Sequence, residues 1–226
     1  MKKKGITLTY VFEKVVEKNE VVDLRDYIVS RPYPGPNDPP LDVLISDMNL
    51  ANKIDSIWHG SYARRETVLR DLFEHLGVRK TYSYIIVDTI PFYDRKYAIL
   101  IFYAADLCVV PLRPTIIDVY RTISMLRELP RITRRKESEV YSKIGLVFNM
   151  VDSKSTTQKK LINTARELFK TRMSADLYVF KATIPRLIAF SRIGTEEERR
   201  EDRKTVEERF REFFNEFKKW VNSKIQ

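Results

Sequence analysis

The chain has 226 residues, of which 43% are hydrophobic, a formal net charge of +10 and a single cysteine, Cys108. The hydrophobic fraction excludes a disordered chain, and the lone cysteine excludes an intramolecular disulfide and a cysteine-based zinc site. No apolar stretch reaches the roughly 18 residues of a membrane span, and no apolar region follows the basic N-terminus as in a signal peptide. We therefore expect a cytoplasmic protein without a membrane partner.

In chain order, residues 1–40 are predicted to form an irregular segment, residues 41–194 an α/β domain and residues 195–226 a C-terminal helix. Apolar side chains at helical spacing predict a short helix within residues 6–18, and five prolines predict a loop over residues 31–40. The apolar runs 41–46 and 82–88 predict strands, and the polar residues 47–62 predict a connection. Amphipathic spacing predicts helices at 64–77 and 95–104.

The second half of the chain continues this alternation. Apolar runs at 107–112, 143–149 and 177–184 predict strands, and the segments 114–129 and 153–169 between them predict helices, with a basic loop at 131–136. Five strands alternating with helices predict a doubly wound α/β fold, whose mostly parallel sheet is buried on both faces. At the C-terminus, Thr195 and Glu198 predict a helix start, and an aromatic stripe from Phe210 to Trp220 predicts docking on the sheet or binding of a partner.

The positive charge is concentrated in one part of the chain. Residues 113–192 contain 17 Lys and Arg against 7 Asp and Glu, whereas the segments before and after are balanced. A concentrated excess of this kind is typical of a face that binds a polyanion such as nucleic acid, with a solvated basic surface as the alternative.

A succession of short motifs gives the most specific functional signal. YIIVDT (84–89) ends a predicted strand with Asp88, a pattern similar to a Walker B carboxylate, although strand-terminal Asp residues also serve in turns. It is followed by AADLCVVPLRP, IGLVFNMVDS and TIPR. The order and spacing of these segments, from about Leu41 to Arg192, resemble the ParA/Soj/MinD-type partition ATPases, a family of P-loop NTPases.

The resemblance implies roles for particular residues. Asp88 matches the catalytic carboxylate that helps to position magnesium and the attacking water, Asn149 matches the residue near the adenine, and Pro185 and Arg186 match the loop over the base. The family uses ATP and magnesium as cofactors, binds DNA without sequence preference, forms homodimers and contacts a partition partner protein on a plasmid or nucleoid. The cations that we expect to bind DNA are Arg131, Arg134, Arg135, Lys136, Lys154, Lys159, Lys160 and Arg192.

The chain also departs from the family pattern. No glycine is followed by Lys-Ser or Lys-Thr, so the Walker A loop that cradles phosphates is absent. The first strand and helix of the family have no counterpart here, so we expect an N-terminally truncated chain. Asp88 is then a vestige of the catalytic site, and we expect no bound cofactor or metal and no competent ATP hydrolysis.

Three hypotheses follow for the function. The first is a truncated or degenerate partition protein that binds DNA nonspecifically and contacts partition partners. The second is a fragment of an active ATPase whose start was assigned too late. The third is a pseudo-enzyme scaffold that binds another protein through its C-terminal helix.

Overall fold

The computed structural model describes residues 7–30, 41–60, 64–89 and 94–225, and the chain divides into two compact units, Met1–Ala105 and Asp106–Gln226. The boundary differs from the divisions at residues 40 and 194 drawn from the sequence. The difference arises because residues 41–105 share an apolar core with the N-terminal helix, whereas the C-terminal helix packs on the sheet of the second unit. The proline-rich stretch 31–40 lies outside the described residues.

The first unit consists mainly of helices around one core. Val11 and Phe12 pack with Ile57, Leu72 and Leu100 from later helices, and all five side chains are buried. The predicted helices at 6–18, 64–77 and 95–104 are confirmed. The helices are α1 (Leu8–Phe12, continued by a π-helical turn, Glu13–Glu17), α2 (Asn49–His59), α3 (Val68–His75), α4 (Val78–Thr81) and α5 (Arg95–Ala104), and the strands β1 (Val29–Ser30) and β2 (Asp42–Val43) pair antiparallel.

Three predictions for this unit are wrong. The run 41–46 contributes only the two residues of β2, in an antiparallel pair. Residues 82–88 form neither helix nor strand, and Ile86 is 92% exposed, because no described strand lies beside them to complete the hydrogen bonding. The polar stretch 47–62 contains α2, because Ile54 and Ile57 are three residues apart and both face the core.

The second unit has the predicted α/β architecture. Its sheet contains three parallel strands in the order β3-β4-β5, with helices in the connections. The α/β class with a parallel sheet is therefore confirmed, with three parallel strands among the described residues instead of five. The strands are β3 (Cys108–Leu112), β4 (Ile144–Val151) and β5 (Tyr178–Pro185). The helices are α6 (Ile116–Thr133), α7 (Glu137–Ser142), α8 (Thr156–Arg172), α9 (Ile188–Arg192) and α10 (Asp202–Lys224).

Helices cover both faces of this sheet. Neighbouring residues of β4 point to opposite faces. Val147 belongs to the core cluster that contains Trp220 of α10, whereas the Phe148 ring lies 5.9 Å from the Arg166 guanidinium of α8. Gly145 is required on the α10 face, because a Cβ there would come within 2.6 Å of the Phe180 ring. The alternating side chains of β4 therefore place it in the middle of the unit.

The C-terminal helix begins later than the sequence predicts. Glu198 accepts a hydrogen bond from the Gly194 N–H, and turns and irregular backbone occupy the residues up to the first residue of α10, Asp202. The aromatic stripe packs against β5: Phe213 and Trp220 are buried beside Phe180, with ring centroids 5.0 and 5.4 Å from its ring. The docked stripe is thus part of the core of the second unit.

β3 is an outer strand of the sheet, and one of its two edges does not pair with β4. The Cys108 N–H donates to the Lys143 carbonyl next to β4. Because backbone groups alternate sides along a strand, those of Val109 and Pro111 point away from β4. The described residues provide no strand on that side, and Val109 is 38% exposed.

Candidate nucleic-acid interface

The structure separates the predicted DNA-binding cations into two groups. Arg131, Arg134, Arg135 and Lys136 precede α7 and so lie at the end of the sheet where β4 begins. Lys154, Lys159 and Lys160 follow the end of β4, at the carboxyl edge. The eight residues of β4 span about 26 Å between the two ends. The two groups therefore do not form one compact patch.

The first group continues an exposed face of α6. Arg131 is still helical, because α6 extends through Thr133 instead of ending at 129 as predicted, and it pairs with Glu128 at 3.3 Å. Arg134 ends the helix with a left-handed backbone, at φ 53°. We call residues 134–136 the basic linker. Arg134 and Lys136 have no ion-pair partner in the described part of the chain, whereas Arg135 lies 3.7 Å from Glu139.

Two further exposed arginines of this helix are not among the cations predicted from the sequence. Arg121 and Arg127 are exposed on α6, whose buried residues include Val119, Ile123 and Leu126. Arg127 is about one helical turn before Arg131, and this spacing is the signal that could have revealed it. Arg121 has no such spacing from Arg131. We define the α6 face by its exposed residues, which are Ile116, Ile117, Tyr120, Arg121, Ser124, Arg127 and Arg131.

The carboxyl edge brings together the residues that resemble a nucleotide site. The Arg186 N–H donates to the Val151 carbonyl at 3.0 Å, so Pro185 and Arg186 lie beside the end of β4 that contains Asn149. The Asn149 side-chain oxygen accepts the N–H of Met150 at 2.8 Å. Met150 is exposed with a left-handed backbone, at φ 57°, which is uncommon for a residue other than glycine.

Arg192 is engaged within the fold. Its guanidinium donates two hydrogen bonds to the Asp202 carboxylate, at 2.8 and 2.5 Å, and its side chain is only 19% exposed. These hydrogen bonds lower the pKa of Asp202 to about 2. We therefore assign Arg192 a structural role at the start of α10 and leave it out of the proposed interface.

Asp88, the remaining residue that resembles the nucleotide site of the family, does not lie on a strand of this sheet. Asp88 is exposed, follows no strand and belongs to the other unit from Asn149, Pro185 and Arg186. Gly145 packs against the Phe180 and Trp220 rings in the core and does not form a phosphate-binding loop. Within the described ranges, no group of three or more His, Cys, Asp or Glu side chains is arranged to hold a metal ion.

Comparison with known proteins finds no matching family model and no matching curated protein. Among the helices in the described part of the chain, none is long and apolar enough to cross a membrane.

Proposed function

We propose that this chain binds DNA without sequence preference through the arginines of the α6 face and the basic linker. The observation that supports this proposal is the row of exposed cations between residues 121 and 136, which comprises Arg121, Arg127, Arg131, Arg134, Arg135 and Lys136. The row falls within the segment that holds the whole positive excess of the chain. Cations on an exposed helix contact phosphates, which are the same in every sequence, so the affinity depends on charge and not on base order.

This mode of binding predicts a steep dependence on salt. Each phosphate contact contributes a slope of about −0.9 to log K against log salt concentration. Four contacts from the row would therefore weaken binding by about 100-fold between 50 and 200 mM salt. Fluorescence anisotropy with two duplexes of unrelated sequence measures the slope and the sequence preference together.

A pair of matched variants tests which cations are involved. Arg134→Gln combined with Arg135→Gln should weaken both duplexes by about 10-fold and reduce the salt slope by about 2. Lys159→Gln combined with Lys160→Gln removes the same charge at the carboxyl edge and should leave the slope unchanged. A loss confined to the second variant would move the interface to the carboxyl edge, and an absence of duplex binding at low salt would refute the function.

The resemblance to partition ATPases supports a more specific role, which remains part of the proposal. We propose that the bound DNA is plasmid or nucleoid DNA, that a partition partner protein contacts the chain, and that ATP is not hydrolysed. Isothermal titration of ATP with magnesium into the chain should give no heat beyond dilution. A tight nucleotide complex would overturn the proposed lack of ATPase activity without affecting the proposal of DNA binding.

The scaffold hypothesis receives less support. It requires the aromatic stripe of α10 to be available to another protein, but Phe213 and Trp220 are buried against β5. Phe214 is exposed on the same helix, yet it stands alone among charged neighbours such as Arg211 and Lys218. Isolated exposed apolar residues are normal on protein surfaces.

A further inference from the structure

The first two turns of the α6 face are apolar. Ile116, Ile117 and Tyr120 are 51%, 60% and 52% exposed, although large side chains at the start of an amphipathic helix are more often buried. Contacts between arginines and the phosphates of a duplex do not use such residues. In a duplex the flat faces of the bases are stacked on each other, and only their edges reach the grooves.

The position of this apolar group indicates what could cover it. Arg127 and Arg131 lie 7 and 11 residues after Tyr120, close to whole numbers of helical turns, so they continue in line from it. Arg121 is exposed beside Tyr120, further around the helix. The axial distance from Tyr120 to Arg131 is about 16 Å, at 1.5 Å per residue. A ligand that fits this row must offer an apolar, planar surface at one end and negative charges along the rest. An unpaired strand of nucleic acid has this chemistry, because each base exposes a π-face next to a phosphate.

We propose that the α6 face prefers single-stranded to duplex nucleic acid, with a base stacked on Tyr120 and phosphates on Arg121, Arg127 and Arg131. The inference rests on the proposed DNA-binding function and names the form of nucleic acid that the site takes. Ile116 and Ile117 flank the stacked base and exclude water from it. Stacking on an aromatic side chain tolerates every base, so the absence of sequence preference is retained.

The test compares a short fluorescent oligothymidylate with a duplex of the same length. Tyr120→Ala should weaken binding of the oligothymidylate by about 10-fold, in line with the stabilisation from one base stacked on an aromatic ring, and leave duplex binding unchanged. Tyr120→Phe keeps the ring and should bind both ligands as the parent chain does. Tyr84→Ala, which removes an exposed tyrosine from the first unit, is the matched control and should change neither affinity.

Arg127→Gln separates this inference from the proposed function. It should weaken both ligands, because its phosphate contact is common to both. If Tyr120→Ala weakens both ligands equally or has no effect on either, the stacking proposal is wrong while the DNA-binding function stands. If the parent chain binds neither ligand at low salt, the function itself fails. Thermal unfolding of each variant confirms that the half-exposed substitutions leave the fold intact.

Discussion

A single hydroxyl compensates for a proline inside α6. Pro130 lies in the last turn of the helix and has no N–H to donate to the carbonyl of Leu126, four residues earlier. The Tyr141 hydroxyl of α7 donates to that carbonyl instead, at 3.3 Å. Both Tyr141 and Leu126 are buried, so water cannot easily replace this hydrogen bond. One residue therefore joins α7 to α6 and satisfies a backbone group that the proline leaves open.

Tyr141→Phe should lower the free energy of unfolding by about 1–2 kcal/mol, because it leaves a buried carbonyl without a donor. Pro130→Ala restores an N–H to the helix, so Tyr141→Phe should cost less in that background. Urea unfolding of the parent chain, both single variants and the double variant measures the coupling. Equal costs in the two backgrounds would show that the hydroxyl does not replace the missing backbone donor.

The pair between Arg192 and Asp202 gives the chain a pH dependence at acid pH. The pKa of Asp202 is about 2 in the fold, below the value of about 3.9 for an unfolded chain. A depressed pKa means that the stabilising contribution is complete above about pH 4 and is lost as the pH falls toward 2.

Asp202→Asn should therefore be less stable than the parent chain at neutral pH, and the difference should shrink toward zero at about pH 2. Asp176→Asn, at an exposed carboxylate with no ion pair in the described residues, is the matched control for replacing a carboxylate with an amide. Urea unfolding across this pH range measures both. A constant difference at every pH would assign the effect of Asp202→Asn to packing instead of charge.

At the scale of residues, the sequence showed which part of the chain is rich in cations, but not which of these cations are exposed and which are paired within the fold. The partner of Arg192 is ten residues away in a run of mixed charges, so nothing local distinguished this arginine from the exposed ones. Arg121 and Arg127 were missed for the opposite reason: each is separated from the other cations in the sequence, and only the helix aligns Arg127 with Arg131.

At the scale of elements, β5 contains an irregularity that two helices stabilise. Its register against β4 shifts between Val179 and Thr183. Glu216 of α10 accepts the N–H groups of Lys181 and Ala182, both at 2.8 Å. Arg166 of α8 donates to the carbonyls of Phe180 and Lys181, at 3.0 and 2.6 Å. The helices thus satisfy backbone groups that the irregular strand does not pair in its ladder.

Glu216→Ala should destabilise the chain by about 2 kcal/mol, because two backbone donors lose a charged acceptor. Glu212→Ala, at an exposed position one turn earlier in α10, is the matched control and should change stability by less than about 0.5 kcal/mol. Chemical denaturation of the two variants gives the comparison. Similar values for both would show that solvent satisfies the N–H groups of β5 equally well.

The success of the strand predictions depended on where the partner strand lies. Residues 143–149 were recognisable because β4 is buried on both faces and is therefore a continuous apolar run. Residues 107–112 and 177–184 are also mainly apolar, although β3 and β5 are only partly buried. The run at 82–88 is also rich in apolar residues. Such a run becomes a strand only when a neighbouring strand pairs with it, and the sequence of one segment does not show whether that neighbour is present. The helix α2 was missed because only Ile54 and Ile57 of it are buried.

At the scale of the molecule, the sequence predicted the class of fold and the segment of positive charge, but not the two units. Each unit has its own apolar core, built from residues that are widely separated in the chain. All the cations of the proposed interface belong to the second unit, whereas Asp88 belongs to the first. The resemblance to partition ATPases depends on residues from both units, so its motifs alone do not define a site.

The outer edge of β3 leads to a prediction about self-association. Pro111 presents no N–H on this edge, which leaves an approaching strand one donor short. Pro111→Val should therefore increase oligomer formation, measured by analytical ultracentrifugation over a range of concentrations. Adding Val109→Lys places a charge on the same edge and should reverse the increase. Identical sedimentation of the parent chain and Pro111→Val would show that the edge is protected in another way.

The edge of β3 also bears on the solubility of the protein. If Pro111 limits pairing between the β3 edges of two copies, the concentration at which the chain begins to precipitate depends on a residue that makes none of the proposed nucleic-acid contacts. Solubility and ligand affinity could then be altered independently, by substitutions in the same unit.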